Sequence, residues 1–253
     1  MAQPARERAE ALYGSVPHDE GIVHVVAVVR APDGLRVLKI GERSPKSEAD
    51  AFALSLARVR ADAILSTGGI LRAEPQMQAE PFGPLADALR ELRVTTFRRP
   101  EPPALLVLTG GNVDLAHPGL AGWARPYIVT DAQGAARLRP QLSNARVRLV
   151  EMDVSSGGSA IAWAREHLAA RTITVEAGPS TALPLYEPAG QRVDELMLSV
   201  FEGTVPADVI GKPFLSQDEL VAHFGPPRSS VTVEQPSGPW RIERYRVAAT
   251  RID

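Results

Sequence analysis

Three short segments place small residues directly after an apolar run: ILSTGGILRAEP at 64–75, VLTGGN at 107–112 and VEAGPST at 175–181. Beyond the carboxyl end of a strand in an open α/β sheet, glycine lets the main chain approach a phosphate closely. A helix starting there presents free N–H groups to it. Each segment alone is a weak signal, because glycine after a strand is more often only a turn. Three in one chain, each at the end of an expected strand, point toward a nucleotide cleft. The other familiar constellations are missing. No GxGxxG follows a strand, and no Walker loop or GxSxG elbow is present. The histidines at 18, 24, 117, 167 and 223 lack HExxH spacing and there is no cysteine, so no metal site is expected and these residues read as packing or surface groups. Ser155-Ser156-Gly157-Gly158 reads as a loop before a helix.

The elements that must position these segments follow from the apolar pattern. Ile22 to Arg30 (IVHVVAVVR) is β-branched and apolar almost throughout, as suits a strand covered on both faces. Ala31-Pro32-Asp33-Gly34 is turn chemistry, and LRVLKIG then reads as a shorter strand. Ser47 is placed to cap a helix from about Glu48 to Arg60. Further strands are expected at 62–66, 104–109, 127–130, 146–151, 172–176, 193–201 and 240–248. Helices are expected through Arg72, over PLADALRELR, over 159–169 and from Gly178 toward Glu187. Strands alternate with helices through the middle, and the last strands have no helix between them. That order predicts a parallel sheet with antiparallel additions at its C-terminal end.

Composition narrows the class. The chain has 253 residues, 44% of them hydrophobic and 23% charged, which is ordinary for a globular α/β domain. A net charge of −2 gives no reason to expect nucleic acid or an acidic membrane as partner. No run approaches the roughly 18 apolar residues that span a bilayer. The opening MAQPARERAEALYG lacks the apolar stretch of a secretory signal, and residues 1–20 read as a short charged helix or a loose arm. With no cysteine, the expected compartment is a reducing cytoplasm.

Taken together, RADAILSTGGILRAEP, VLTGGNVDL, VEAGPST, VDELMLSV and the terminal ERYRV resemble, in content and in order, the C-terminal reductase domain of RibD and the stand-alone pyrimidine reductases. The resemblance runs from about Ile22 to Val247. It implies a three-layer α/β fold, dihydrofolate-reductase-like, with a mixed, mostly parallel central sheet, helices on both faces, and one reductase domain over 21–253. It implies NADPH as cofactor, with NADH as an alternative, and a small-molecule substrate of the pyrimidine kind. The implied reaction is hydride transfer to a ribosylamino carbon, as in the 5-amino-6-(5-phosphoribosylamino)uracil reductases, and the implied assembly is a homodimer through the C-terminal strands. Cofactor contacts fall by the same resemblance on Thr67, Gly69, Arg72, Glu74, Gly110, Glu176, Ala177, Gly178, Pro179 and Ser180, and a catalytic carboxylate on Asp33. Glu74 stands where the family has aspartate, Ile70 where it has threonine, and Ala177 where it has glycine. Asp50-Ala51 replaces an Asp-Arg pair, and FEGTVPADVIGKPF replaces a glycine-rich segment. These departures keep open a second reading, a non-catalytic nucleotide- or small-molecule-binding protein on the same scaffold.

Overall fold

The computed structural model describes residues 2–39, 41–144, 146–187 and 193–247. Ile40 and residues 248–253, to which two of the expected strands and the expected domain extend, lie outside the described residues. Among those described, eleven strands form one sheet. They are β1 (Gly21–Ala31), β2 (Gly34–Leu38), β3 (Ala63–Thr67), β4 (Ala104–Leu108), β5 (Arg125–Thr130), β6 (Arg148–Glu151), β7 (Thr172–Val175), β8 (Glu195–Phe201), β9 (Ile210–Pro213), β10 (Ser229–Gln235) and β11 (Gly238–Arg246). The order across the sheet is β10-β11-β8-β1-β7-β3-β4-β5-β6. From β8 to β6 all neighbours are parallel, and β11, β10, β2 and β9 add antiparallel pairs.

Both sheet faces are covered, because the strands bury side chains on alternate sides. On one face Ile22, Val28, Ala63, Leu65, Leu106 and Ile173 share a core with α7 (Gly157–Leu168), α8 (Pro179–Ala182) and α9 (Gln217–Phe224). On the other, Val23, Val29 and Met197 pack under α1 (Gln3–Tyr13), α2 (Glu48–Arg60) and α4 (Ala86–Thr95). Ile64, Leu105 and Ile128 continue that layer against Leu71 of α3 (Gly68–Ala73), Leu120 of α5 (Pro118–Ala121) and Leu138 of α6 (Ala132–Leu138). The fold is thus the three-layer, mostly parallel architecture that the resemblance implies.

Local signals account for several boundaries. The Ser47 side chain accepts from the Asp50 amide, and α2 begins at Glu48 as its cap dictates. One expectation needs correction. The C-terminal strands are not free of helix: α9 lies between β9 and β10, started by a capping box of Ser216 and Glu219. Of the two readings of residues 1–20, a short charged helix or a loose arm, the structure has the helix: α1 buries Ala5, Ala9, Leu12 and Tyr13 in the core and ends on Gly14 at φ +75°. Prolines at the start of α1, α5 and α8 suit first-turn positions whose N–H has no helical partner.

Candidate nucleotide cleft

The cleft arises from one short strand. β7 stops at Val175, opposite His24 of β1, while β1 continues to Ala31. On that same edge β2 takes over only from Val28 onward. Between the two ladders, among the described residues, no strand pairs with Val25, Val26 or Ala27 on the β7 side. These three residues are half-exposed although β1 is a central strand, whereas Ile22–His24 and Val28–Val29 are buried. A notch therefore opens in the sheet between β7 and β2, with no strand paired along β1 over these three residues among those described.

The three glycine turns of the sequence stand around this notch. β7, β3 and β4 are consecutive and parallel, so their carboxyl ends lie side by side. A Cβ added at Gly178 or Gly110 would meet nothing within 4 Å, and one at Gly69 would touch only Thr67 Oγ1 at 3.5 Å and Arg72 at 3.9 Å. Those glycines leave open space where a ligand can approach. Neighbouring glycines serve packing instead. A Cβ on Gly68 would come within 2.9 Å of Thr109 Oγ1, and one on Gly111 within 2.8 Å of Gly134 Cα. Thr67 caps α3 by accepting from the Ile70 amide at 3.2 Å. Arg72 donates to the Asn112 carbonyl, and Arg137 donates to the Gly110 carbonyl at 3.0 Å. Two guanidiniums thus flank the turn after β4. Ala177 packs partly against the core beneath it, and Gly178-Pro179-Ser180 opens α8, whose first turn has no side-chain cap.

On the α7 side the end of β4 and the start of α8 border a cavity of about 650 Å3 lined by Leu108, Ser155, Gly158, Ser180, Thr181 and Glu187 among others. Its volume lies within the roughly 300–1,000 Å3 common for small-molecule sites. The Ser155–Ser159 stretch reads in the sequence only as a loop before a helix. In the structure Ser156 caps α7, accepting from the Ser159 amide at 3.1 Å, and Gly157, whose added Cβ would come within 3.2 Å of Thr181, lets α7 lie against that residue. Val25–Ala27 were equally silent, because an apolar run carries no mark of where its neighbour stops.

The carboxylates separate into three situations. Glu176 follows β7 and is half-buried, and its two oxygens accept from Arg58 of α2 at 2.8 and 2.7 Å. Arg58 also donates to the Gln78 and Glu80 carbonyls at 2.9 and 3.0 Å, so the pair ties the end of β7 to the chain after α3. Glu74, at the end of α3, is half-buried. Burial raises its pKa, Arg58 opposes that rise, and Glu176 adds to it. Asp33 sits at the exposed tip of the β1–β2 hairpin, where Arg36 pairs with its carboxylate. The hydrogen bond from Arg36 holds the Asp33 pKa below its ordinary value. Among the sequence-predicted residues, the structure brings Thr67, Gly69, Arg72, Gly110 and 177–180 to adjoining strand ends and sets Asp33 apart at the hairpin tip.

These features define a class: an open α/β sheet with a notch at its carboxyl edge, bounded by glycine turns. Solved structures carry the same architecture. A pyrimidine reductase-like protein of Corynebacterium diphtheriae superposes with a TM-score of 0.63 at 19% identity, covering 96% of this chain and 99% of that one. RibD of Acinetobacter baumannii matches with a TM-score of 0.58 at 13% identity over 90% of this chain, which spans 59% of that longer protein. The riboflavin biosynthesis reductase of Saccharomyces cerevisiae matches with a TM-score of 0.53 at 11% identity, over 97% of this chain and 100% of that one. No family model matches the sequence, and no curated protein does. The chain has the fold of these reductases, the dihydrofolate-reductase-like fold.

Proposed function

We propose that the protein is an NADPH-dependent reductase acting on a small heterocyclic substrate of the pyrimidine class. The observation that carries this reading is the half-exposed stretch Val25–Ala27 in a central strand, with the open glycines of three neighbouring turns around it. A dinucleotide fits this cradle. Gly69, Gly110 and Gly178 leave room for its phosphates, and Arg72 and Arg137 bring positive charge to the same rim. The 650 Å3 cavity beside Ser180 suits its adenosine end, and the free edge of β1 offers main-chain groups to a planar amide. When bound, the cofactor supplies the hydride, and the protein supplies position and a proton. Reducing a C=N or C=O bond takes one hydride and one proton. Glu74 is the carboxyl suited to deliver that proton, since burial keeps it protonated to higher pH than an exposed acid. Asp33 is solvated and held ionised by Arg36, which fits a contact on the substrate better than proton delivery.

NADPH at millimolar concentration should raise the melting temperature of the protein; ligand at 100 times Kd stabilises by about 2.7 kcal/mol. Gly178→Val, which places its side chain in open space, should abolish that shift and leave the unliganded melting temperature unchanged. No shift with NADPH or NADH in the wild type would remove the cofactor from the reading. The exposed Asp33 and the clamped Glu176 favour one other reading, a binder without turnover. In that case the shift occurs but no candidate pyrimidine oxidises NADPH at 340 nm.

A further inference from the structure

At the opposite end of the sheet, where β5 and β6 begin, lies a groove of about 300 Å3 lined by Trp123, Arg125, Tyr127, Arg146 and Arg148, with small residues of the α5–β5 connection closing it. Tyr127 and Arg148 are paired across the two strands. Two residues earlier in each segment stand Arg125 and Arg146. Three arginines thus line one groove, and among the described residues no carboxylate lines it. Like charges on neighbouring strands destabilise a sheet unless something neutralises them.

Two of the arginines are anchored by hydrogen bonds to neighbouring residues. Arg148 donates to the Tyr127 hydroxyl at 3.0 Å, and its guanidinium lies 5.6 Å from that ring's centroid. Arg125 uses Nε on the Pro102 carbonyl at 3.2 Å, which leaves its two terminal nitrogens for another partner. Behind Trp123, Arg93 lies 5.5 Å from the indole centroid. Its pKa is lowered to about 10, by burial first, then by Arg99 and Arg125, with Asp62 opposing.

We propose that this groove is a second binding site, for a small anion bearing a phosphate group. Planar guanidinium forks match phosphate oxygens two at a time, and the Trp123 and Tyr127 rings give a flat wall for whatever carries the phosphate. The volume is at the low end for ligand sites, enough for a phosphate monoester or a diphosphate and too small for a dinucleotide. The site stands apart from the cleft, since parallel strands β5 and β6 begin here, at the sheet margin opposite the one where β7, β3 and β4 end.

Calorimetric titration with inorganic pyrophosphate tests this on the wild type, on R146Q/R148Q and on Gly178→Val. The double variant should bind at least tenfold more weakly with an unchanged melting temperature, and Gly178→Val should bind as the wild type does. R125Q alone provides a second probe should the double variant melt early, and it too should weaken binding severalfold. Adenosine monophosphate binding more tightly than inorganic phosphate assigns the site to phosphorylated metabolites, and equal affinity assigns it to the free anion. The proposal is overturned by absence of binding at millimolar pyrophosphate, by full binding in the arginine variants, or by a loss that follows Gly178→Val instead.

Discussion

Glu195, fully buried at the start of β8, accepts from Arg60 at 2.8 and 3.0 Å, from Arg244 at 3.1 and 3.2 Å and from Arg246 at 3.3 Å. Burial alone would raise its pKa, but the guanidiniums of Arg60 and Arg244 outweigh that and hold it at about 2. A carboxylate whose folded pKa lies below its unfolded value near 4.5 contributes stability that is complete above pH 4.5 and lost as pH falls toward 2. His24 acts in a higher window. Its ring is buried between Tyr186 and Phe214, Nδ1 lies 2.8 Å from the Tyr186 hydroxyl, and burial lowers its pKa to about 4. The folded state holds it neutral, so stability falls as pH drops from 6.5 toward 4. Urea unfolding from pH 7 to pH 3 should therefore show two successive losses. His24→Phe is expected to remove the upper one, and Glu195→Gln to cost about 3–5 kcal/mol at pH 7 by leaving buried guanidiniums uncompensated. A flat profile in the wild type between pH 6.5 and 4.5 would contradict the His24 assignment.

At the scale of elements, glycines that look alike in sequence do opposite work. Gly134 lies in the first turn of α6, where a Cβ would collide with Thr130 Oγ1 and come within 3.0 Å of the Gly110 carbonyl carbon. Gly134→Ala should lower stability by about 1–3 kcal/mol through overpacking, whereas Gly110→Ala, with open space around it, should change stability little and weaken dinucleotide binding. Comparing melting temperatures with and without NADPH separates the two. Much of the element plan was legible: the Ser47 cap fixed α2, and apolar runs marked β1, β3, β4 and β8. The three glycine turns proved to be neighbours because their strands are. What stayed hidden depends on pairing across long stretches of chain. Arg58 meets Glu176 across 118 positions, and nothing near either residue announces the other. The cavity beside Ser155–Ser159 exists only once α7 and α8 dock side by side. α9 was missed although Ser216 and Glu219 carry a readable capping signature, because its eight residues fall in the stretch between the expected strands 193–201 and 240–248, where the sequence reading placed no element.

For the whole molecule, the sheet has an open margin at β10, where burial alternates along Ser229–Gln235 and β11 is the only strand partner among the described residues. An unpaired strand edge is a ready surface for a second copy. Light scattering should therefore give twice the 27.2 kDa chain mass, and Val231→Pro on β10 should return it to a single chain. A wild type that stays at 27.2 kDa at tens of micromolar would rule out this assembly.

The early stop of β7 makes grip a property of the main chain. Peptide groups along such an edge are chemically the same whichever side chains hang from them, so under the proposed function substitution can run far without erasing the hold on a flat ligand. The notch is written in backbone, by where one strand stops, rather than in particular side chains. It also implies that mutational scanning of the notch walls will find tolerance at most positions, with intolerance concentrated where a side chain would fill the gap itself.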